Sequence, residues 1–149
     1  MDLVLIGNGE YIDELKKANQ NEANIHFVDN LKKPSEWIGW VKNFDCALLP
    51  TYFVSESLPN AVIEYLAYSV PVISTNIGDI RYMIKNDKAN AGIVLELHDG
   101  MVDVDELSDA MNIMLNDKKR YSEFKTGTLE LFSQFDIKNF SENYYTLYV

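Results

Sequence analysis

The chain has 149 residues, 47% hydrophobic and 24% charged, the size and composition of one soluble globular domain able to bury a core. Its net charge of −10 argues against nucleic-acid binding, because phosphate contacts need clustered basic side chains. The basic groups Lys16-Lys17, Lys32-Lys33 and Lys118-Lys119-Arg120 stand among acids instead. A single cysteine, Cys46, rules out an internal disulfide and suits a reducing compartment. No apolar run approaches the ~18 residues needed to span a bilayer, and Met1-Asp2 does not open a signal peptide, so a cytoplasmic location is expected.

In chain order, "LVLI" (3–6) reads as a buried strand, followed by the Gly7-Asn8-Gly9 turn and a helix to about Asn19. A second strand is "IHFV" (25–28). Pro34 opens a helical "PSEWIGWVKNF", and "CALLP" (46–50) is the third strand. A loop then leads to a helix starting near Pro59. "PVIST" (71–75), a short helix "DIRYMI" and the strand "GIVLEL" (92–97) follow, and the pattern is helical from Asp103 onward. The strands are continuous apolar runs, as expected when helices cover both faces of a parallel sheet. The predicted class is α/β, a doubly wound, Rossmann-like parallel sheet in a single domain. Ligands of such folds bind beyond the carboxyl ends of the strands. That rim would hold the Gly7-Asn8-Gly9 turn, the 50–60 loop and the loop after Thr75.

The glycine pair of "GNG" is part of a dinucleotide fingerprint, but Ile12 stands where a third glycine is needed. Asp29, at the spacing of a ribose-binding acid, is a cheap match in so acidic a chain. A plain strand-to-helix turn facing the cleft is the better reading.

The stretch "SESLPNAVIEYLAYSVPVIST" (55–75) places Glu56 and Glu64 eight positions apart. The first-turn amides of the helix and its positive dipole end point back at the loop carrying Glu56 and Ser57, a place for an anionic group. Glu64 projects from the flank of that helix, where its two oxygens can accept from a vicinal diol such as a ribose. On spacing alone, an exposed stripe carrying Glu64 and an ordinary loop acid at Glu56 explain the pattern more simply.

The same stretch resembles the signature of the retaining GT-B glycosyltransferases of the glycosyl transferases group 1 family, with seven residues between its paired glutamates. The likeness extends along the chain through "LVLIGNGEYIDEL", "NIHFVDNL", "DCALLPTYFVSES", "AGIVLEL", "DVDELSDAMNIMLND" and "FDIKNFSENYYTLY". It implies the C-terminal, donor-binding half of such an enzyme. Glu64 would bind the ribose of a nucleotide-diphosphate sugar, and Glu56 would contact and position the sugar as the catalytic residue. The backbone of Ser57, Leu58, Pro59 and Asn60 would line the sugar and diphosphate. Gly7, Asn8 and Gly9 would face the donor, and Asn30 and Leu31, after Asp29, would lie near the base. The resemblance implies no cofactor and no metal, with the departing charge met by basic side chains and the helix end.

The sequence departs from the family at Ser57 and Ser69, where glycines are usual, and at Asp79, Arg81 and Tyr82, which alter the sugar pocket. The family's first strand-helix unit, with its Arg/Lys clamp, and the acceptor domain before it are not in this sequence. The expected partners are therefore that domain, or another chain completing the sheet, and the isolated chain is expected to transfer little or no sugar. Peripheral attachment to the inner membrane would come through the absent domain. The rival reading is an inactive truncated domain serving as a partner-binding or structural piece. Asp103-Val104-Asp105 matches a metal-binding D-x-D but reads better as a helix start. His26 and His98 have no ligand-like spacing, and the stripe Phe132, Phe135, Phe140, Tyr144, Tyr145, Tyr148 is expected to pack or, alternatively, to dock the absent domain.

Overall fold

A computed structural model describes residues 1–148, the side chains of Phe140 and Asn143 excepted. The chain divides into two compact units, Met1–Trp40 and Val41–Val149.

In the first unit, β1 (Leu3–Ile6) and β2 (Ile25–Val28) form a parallel pair, Leu3 opposite Ile25 and Ile6 opposite Val28. Between them runs α1 (Ile12–Ala18), with Asp13 and Glu14 in its first turn and Lys16 and Lys17 in its last, charges that complement the helix dipole. α2 (Pro34–Val41) begins at Pro34, as the fixed φ of proline favours. None of residues 1–40 is buried, although β1 is wholly apolar.

The second unit holds the core. β3 (Ala47–Leu49), β4 (Val72–Thr75) and β5 (Gly92–Leu95) form a parallel sheet in that order. On one face Ile73 and Leu95 cluster with Ala110, Met114 and Phe124 from α5 (Val104–Asn116) and α6 (Lys118–Phe132). Residues of β4 alternate between faces, so Val72 and Ser74 turn to the other side. There α3 (Asn60–Ala67) contributes Val62 and Leu66, and α4 (Ile80–Ile84) contributes Ile80, Met83 and Ile84, all fully buried. Parallel strands covered by helices on both faces give the α/β, doubly wound class expected from the apolar runs. The parallel ladders fall into two sets, β1-β2 and β3-β4-β5.

Two glycines set close approaches. A β-carbon on Gly92 would lie 1.8 Å from the Val72 carbonyl oxygen, so the β4–β5 ladder forms only around glycine. On Gly127 it would lie 2.2 Å from the carbonyl of Asn90, which lets α6 press on the chain entering β5.

The strand expected over 92–97 ends at Leu95. Beyond it β6 (Leu97–His98) and β7 (Met101–Val102) make a small antiparallel hairpin. Asp99 and Gly100 both have positive φ, 51° and 78°, as a two-residue primed turn requires, and that turn chemistry overrides the apolar run. α5 and α6 meet at Asp117, whose carboxylate accepts from the Arg120 N–H. A 3₁₀ turn (Ser133–Phe135) leads to α7 (Ile137–Tyr145). Packing of the whole aromatic stripe is not observed. Phe132 and Phe135 are half-buried, but Tyr144, Tyr145 and Tyr148 are exposed, and Tyr144 and Tyr148 meet each other with hydroxyls 3.0 Å apart. Phe140 lies outside the described side chains. No helix among the described residues is long and apolar enough to cross a membrane.

Candidate active site

In the second unit the β3–α3 loop and the start of α3 carry Glu56, Ser57, Leu58, Pro59, Asn60 and Glu64 together. Pro59 is not the first helical residue but the residue before it. Its φ of −64° suits either place, but its ψ of 122° is extended, and its carbonyl accepts from the Val62 N–H at 3.0 Å. No side-chain hydrogen bond caps this helix start, so no capping side chain meets the first-turn N–H groups at the positive end of the α3 dipole.

α3 buries Val62, Tyr65 and Leu66, a stripe at helical spacing, while Asn60 and Glu64, one turn apart, share another face. Glu64 is half-buried there. Its charge is felt by Tyr65, whose hydroxyl is pushed up to about 12, first by burial and then by the neighbouring carboxylate. Glu56 is also half-buried, whereas Ser57 and Leu58 are exposed.

The loop after β4 locks this segment. Gly78, at φ 53°, lies so close that a β-carbon would come within 2.3 Å of the Glu56 carbonyl oxygen. Next to it the Asp79 N–H donates to the Ser57 carbonyl at 3.0 Å, and the Glu56 N–H donates to the Phe53 carbonyl at 2.9 Å. The buried Thr75 hydroxyl donates to the Thr51 carbonyl. The Glu56–Ser57 backbone is thus held from both sides. At the far end of α3, Ser69 has φ 58°; its N–H donates to Leu66 and that of Val70 to Tyr65, a Schellman closure. The glycine-like position expected at Ser69 is therefore real.

Sequence reasoning missed Glu96. Asn76 donates to both of its oxygens, at 3.1 and 2.9 Å, and Arg81 reaches it at 3.5 Å. Asn76 and Glu96 each stand one residue beyond paired parallel strands, β4 and β5, a juxtaposition that only the strand register supplies. Tyr82, on α4, is exposed.

The remaining expected site residues belong to the first unit. Gly7, Asn8 and Gly9 follow β1, and Asn30 and Leu31 follow β2, at the same end of the parallel pair. Gly7 has φ 151°, and its N–H donates to the Val28 carbonyl at 3.0 Å. Asp29 is paired with Lys16, whose hydrogen bond lowers its pKa, and it accepts from the Asn30 amide at 2.7 Å.

Elsewhere, the Asp103 carboxylate caps α5, accepting from the Asp105 and Glu106 N–H groups at 2.9 and 3.0 Å, the helix-start role expected of it. His26 bonds Asp2 and His98 bonds Glu106.

The glycosyl transferases group 1 family matches residues 1–117. The chain belongs to this family. Among curated relatives, it is 29% identical over 122 residues to the UDP-Gal:alpha-D-GlcNAc-diphosphoundecaprenol alpha-1,3-galactosyltransferase of Escherichia coli. That match takes in 77% of this chain and 28% of the relative. Anabaena HepE in complex with UDP is similar in fold, with a TM-score of 0.78 at 14% identity over 99% of this chain and 40% of that one. The pneumococcal O-GlcNAc transferase GtfA in complex with UDP and GlcNAc has a TM-score of 0.74 at 15% identity, over 99% of this chain and 29% of that one. The chain thus spans well under half the length of these relatives. The fold is that of a GT-B glycosyltransferase C-terminal domain.

Proposed function

We propose that this chain is the nucleotide-sugar donor half of a retaining glycosyltransferase, acting with an acceptor-binding polypeptide outside residues 1–149. The observation that carries the reading is the clamped Glu56–Ser57 backbone beside an uncapped helix start, with Glu64 one turn along α3. Glu64 accepts the two ribose hydroxyls, one per oxygen. The diphosphate lies against the first turn of α3, where backbone N–H groups and the dipole stabilise the charge that grows as the anomeric C–O bond breaks. The diphosphate departs with the bonding electrons. The acceptor hydroxyl forms the new bond on the same face of the sugar and gives its proton to the departing diphosphate oxygen. Glu56 contacts the sugar and positions it for that exchange, and Ser57, Leu58, Pro59 and Asn60 line it. The resemblance to the family supports donor-binding roles for Gly7, Asn8 and Gly9 and a place near the base for Asn30 and Leu31. In this reading no metal or cofactor takes part. The relatives that bind UDP or use UDP-Gal favour a uridine nucleotide.

Calorimetric titration of the chain with UDP, GDP and ADP tests this. Binding of a nucleotide diphosphate, lost in Glu64→Ala with the fold intact, is the expected result. Binding of none of the three would favour the rival, a purely structural piece. Robust acceptor-dependent transfer by the isolated chain would overturn the assignment of acceptor recognition to another polypeptide.

A further inference from the structure

The loop from β3 to α3 reaches Glu56 with little packing to hold it. Tyr52, Phe53, Val54 and Ser55 are all exposed, so no buried side chain anchors the approach. Backbone pairing gives out as well. Leu49, opposite Ser74, is the last residue of β3 in register with β4, and the Thr51 N–H turns back on the Leu49 carbonyl at 2.8 Å. A hydroxyl takes over where the ladder ends. Thr75, wholly buried at the end of β4, donates from its Oγ1 to the Thr51 carbonyl. The Thr51 Oγ1 in turn accepts from the Phe53 N–H at 3.1 Å. The Phe53 carbonyl accepts from the Glu56 N–H at 2.9 Å, closing a turn over residues 53–56. A relay of hydrogen bonds thus runs from a buried hydroxyl to the backbone of Glu56.

Given the donor reading of Glu56 and Glu64, we propose that Thr75 is a positioning residue. It acts through Thr51 to set Glu56 against the sugar, and so governs recognition of the sugar but not of the nucleotide. The two glutamates are anchored by different means. Glu64 stands on α3, which Val62, Tyr65 and Leu66 fix by burial, so its place does not depend on the Thr75 hydroxyl. Glu56 ends a turn that is clamped on its far side, at Ser57, by Gly78 and Asp79, and tied down on its near side at Thr51. Replacing the hydroxyl by a methyl group of similar size leaves the Thr51 carbonyl without that donor and frees the turn. Serine keeps the donor and gives up only the methyl group, so the two substitutions separate hydrogen bonding from packing.

Calorimetry of the full chain with UDP, UDP-glucose and UDP-galactose tests this, beside backbone nitrogen relaxation of the unliganded chain by NMR. Thr75→Val should lower affinity for the better-bound sugar nucleotide, relative to UDP, by roughly 3–10-fold, the worth of one hydrogen bond. UDP binding itself should be unchanged. Thr75→Ser should keep the wild-type ratio although it packs less well. Without ligand, the amides of residues 53–56 should have order parameters of about 0.85 in the wild type and in Thr75→Ser, and below ~0.6 in Thr75→Val. Thr51→Val breaks the next link at a half-buried position and should give the same loosening and the same loss, whether or not Thr75→Val folds. A parallel fall in UDP and sugar-nucleotide affinity, an equal effect of serine and valine at position 75, or a turn as rigid in the valine variants as in the wild type would overturn the proposal. A wild-type chain that binds none of the three nucleotides would overturn the donor reading and the sugar role with it, while the order parameters still decide the relay.

Discussion

Gly78 and Ser57 are in backbone contact: a β-carbon on Gly78 would sit 2.7 Å from the Ser57 Cα, and the Asp79 N–H donates to the Ser57 carbonyl. The loop after β4 therefore holds the loop after β3 in place by main-chain atoms alone. Side-chain changes at Ser57 leave that clamp standing.

Gly78→Ala attacks the clamp itself. The new methyl group meets backbone that cannot swing aside, at a φ that alanine disfavours. A loss of about 2–4 kcal/mol is expected from strain and overpacking together. Nucleotide affinity should fall further than stability does, because the displaced segment carries Glu56. Urea unfolding and calorimetry on the same variant separate the two effects.

Gly92→Ala should cost at least as much, about 3–4 kcal/mol, because it drives a methyl group into the Val72 carbonyl at the centre of the sheet. Gly92 and Val72 open their strands, at the end away from the β3–α3 loop, so the affinity of the remaining folded molecules should be unchanged. A variant of near wild-type unfolding midpoint would contradict the packing described for β4 and β5.

Ser69→Gly should do the opposite. Ser69 occupies the left-handed position that closes α3, and glycine removes a strain of roughly 1 kcal/mol there. The expected gain is a melting temperature higher by a few degrees, about 2–4 °C for a domain of this size. Ser69→Ala should show no such rise.

Stability should decline in alkali. Burial pushes the Cys46 thiol from its ordinary 9.0 up to about 12, and burial with the Glu64 charge raises Tyr65 from 10.0 to about 12. Both groups hold their protons more tightly in the folded chain. Their stabilising effect is complete below the unfolded values and is lost as pH rises through 9 toward 12, where the unfolded state sheds protons first. Each contributes a slope of up to ~1.4 kcal/mol per pH unit within its window. Urea midpoints at pH 8 and in the alkaline range measure it, and Cys46→Ala should flatten the onset.

The sequence by itself determined a good deal here. Continuous apolar runs marked β1 to β5 because parallel strands are covered on both faces and need no polar alternation. Asp103 announced the start of α5, because its carboxylate is the nearest acceptor for first-turn amides. The paired glutamates pointed to the family, and the unusual serine at position 69 marked a left-handed turn; all of these are local features. What only the tertiary structure decided is non-local. The chain cannot announce that Gly78 will press on Glu56, that Glu96 will meet Asn76 across two strands, or that Asp29 will be taken by Lys16. Those contacts depend on strand register and loop closure, which join residues far apart in sequence. The exposed tyrosines of α7 and the unburied first unit have the same origin: apolar composition shows that side chains seek cover, while the packing alone decides which of them obtain it.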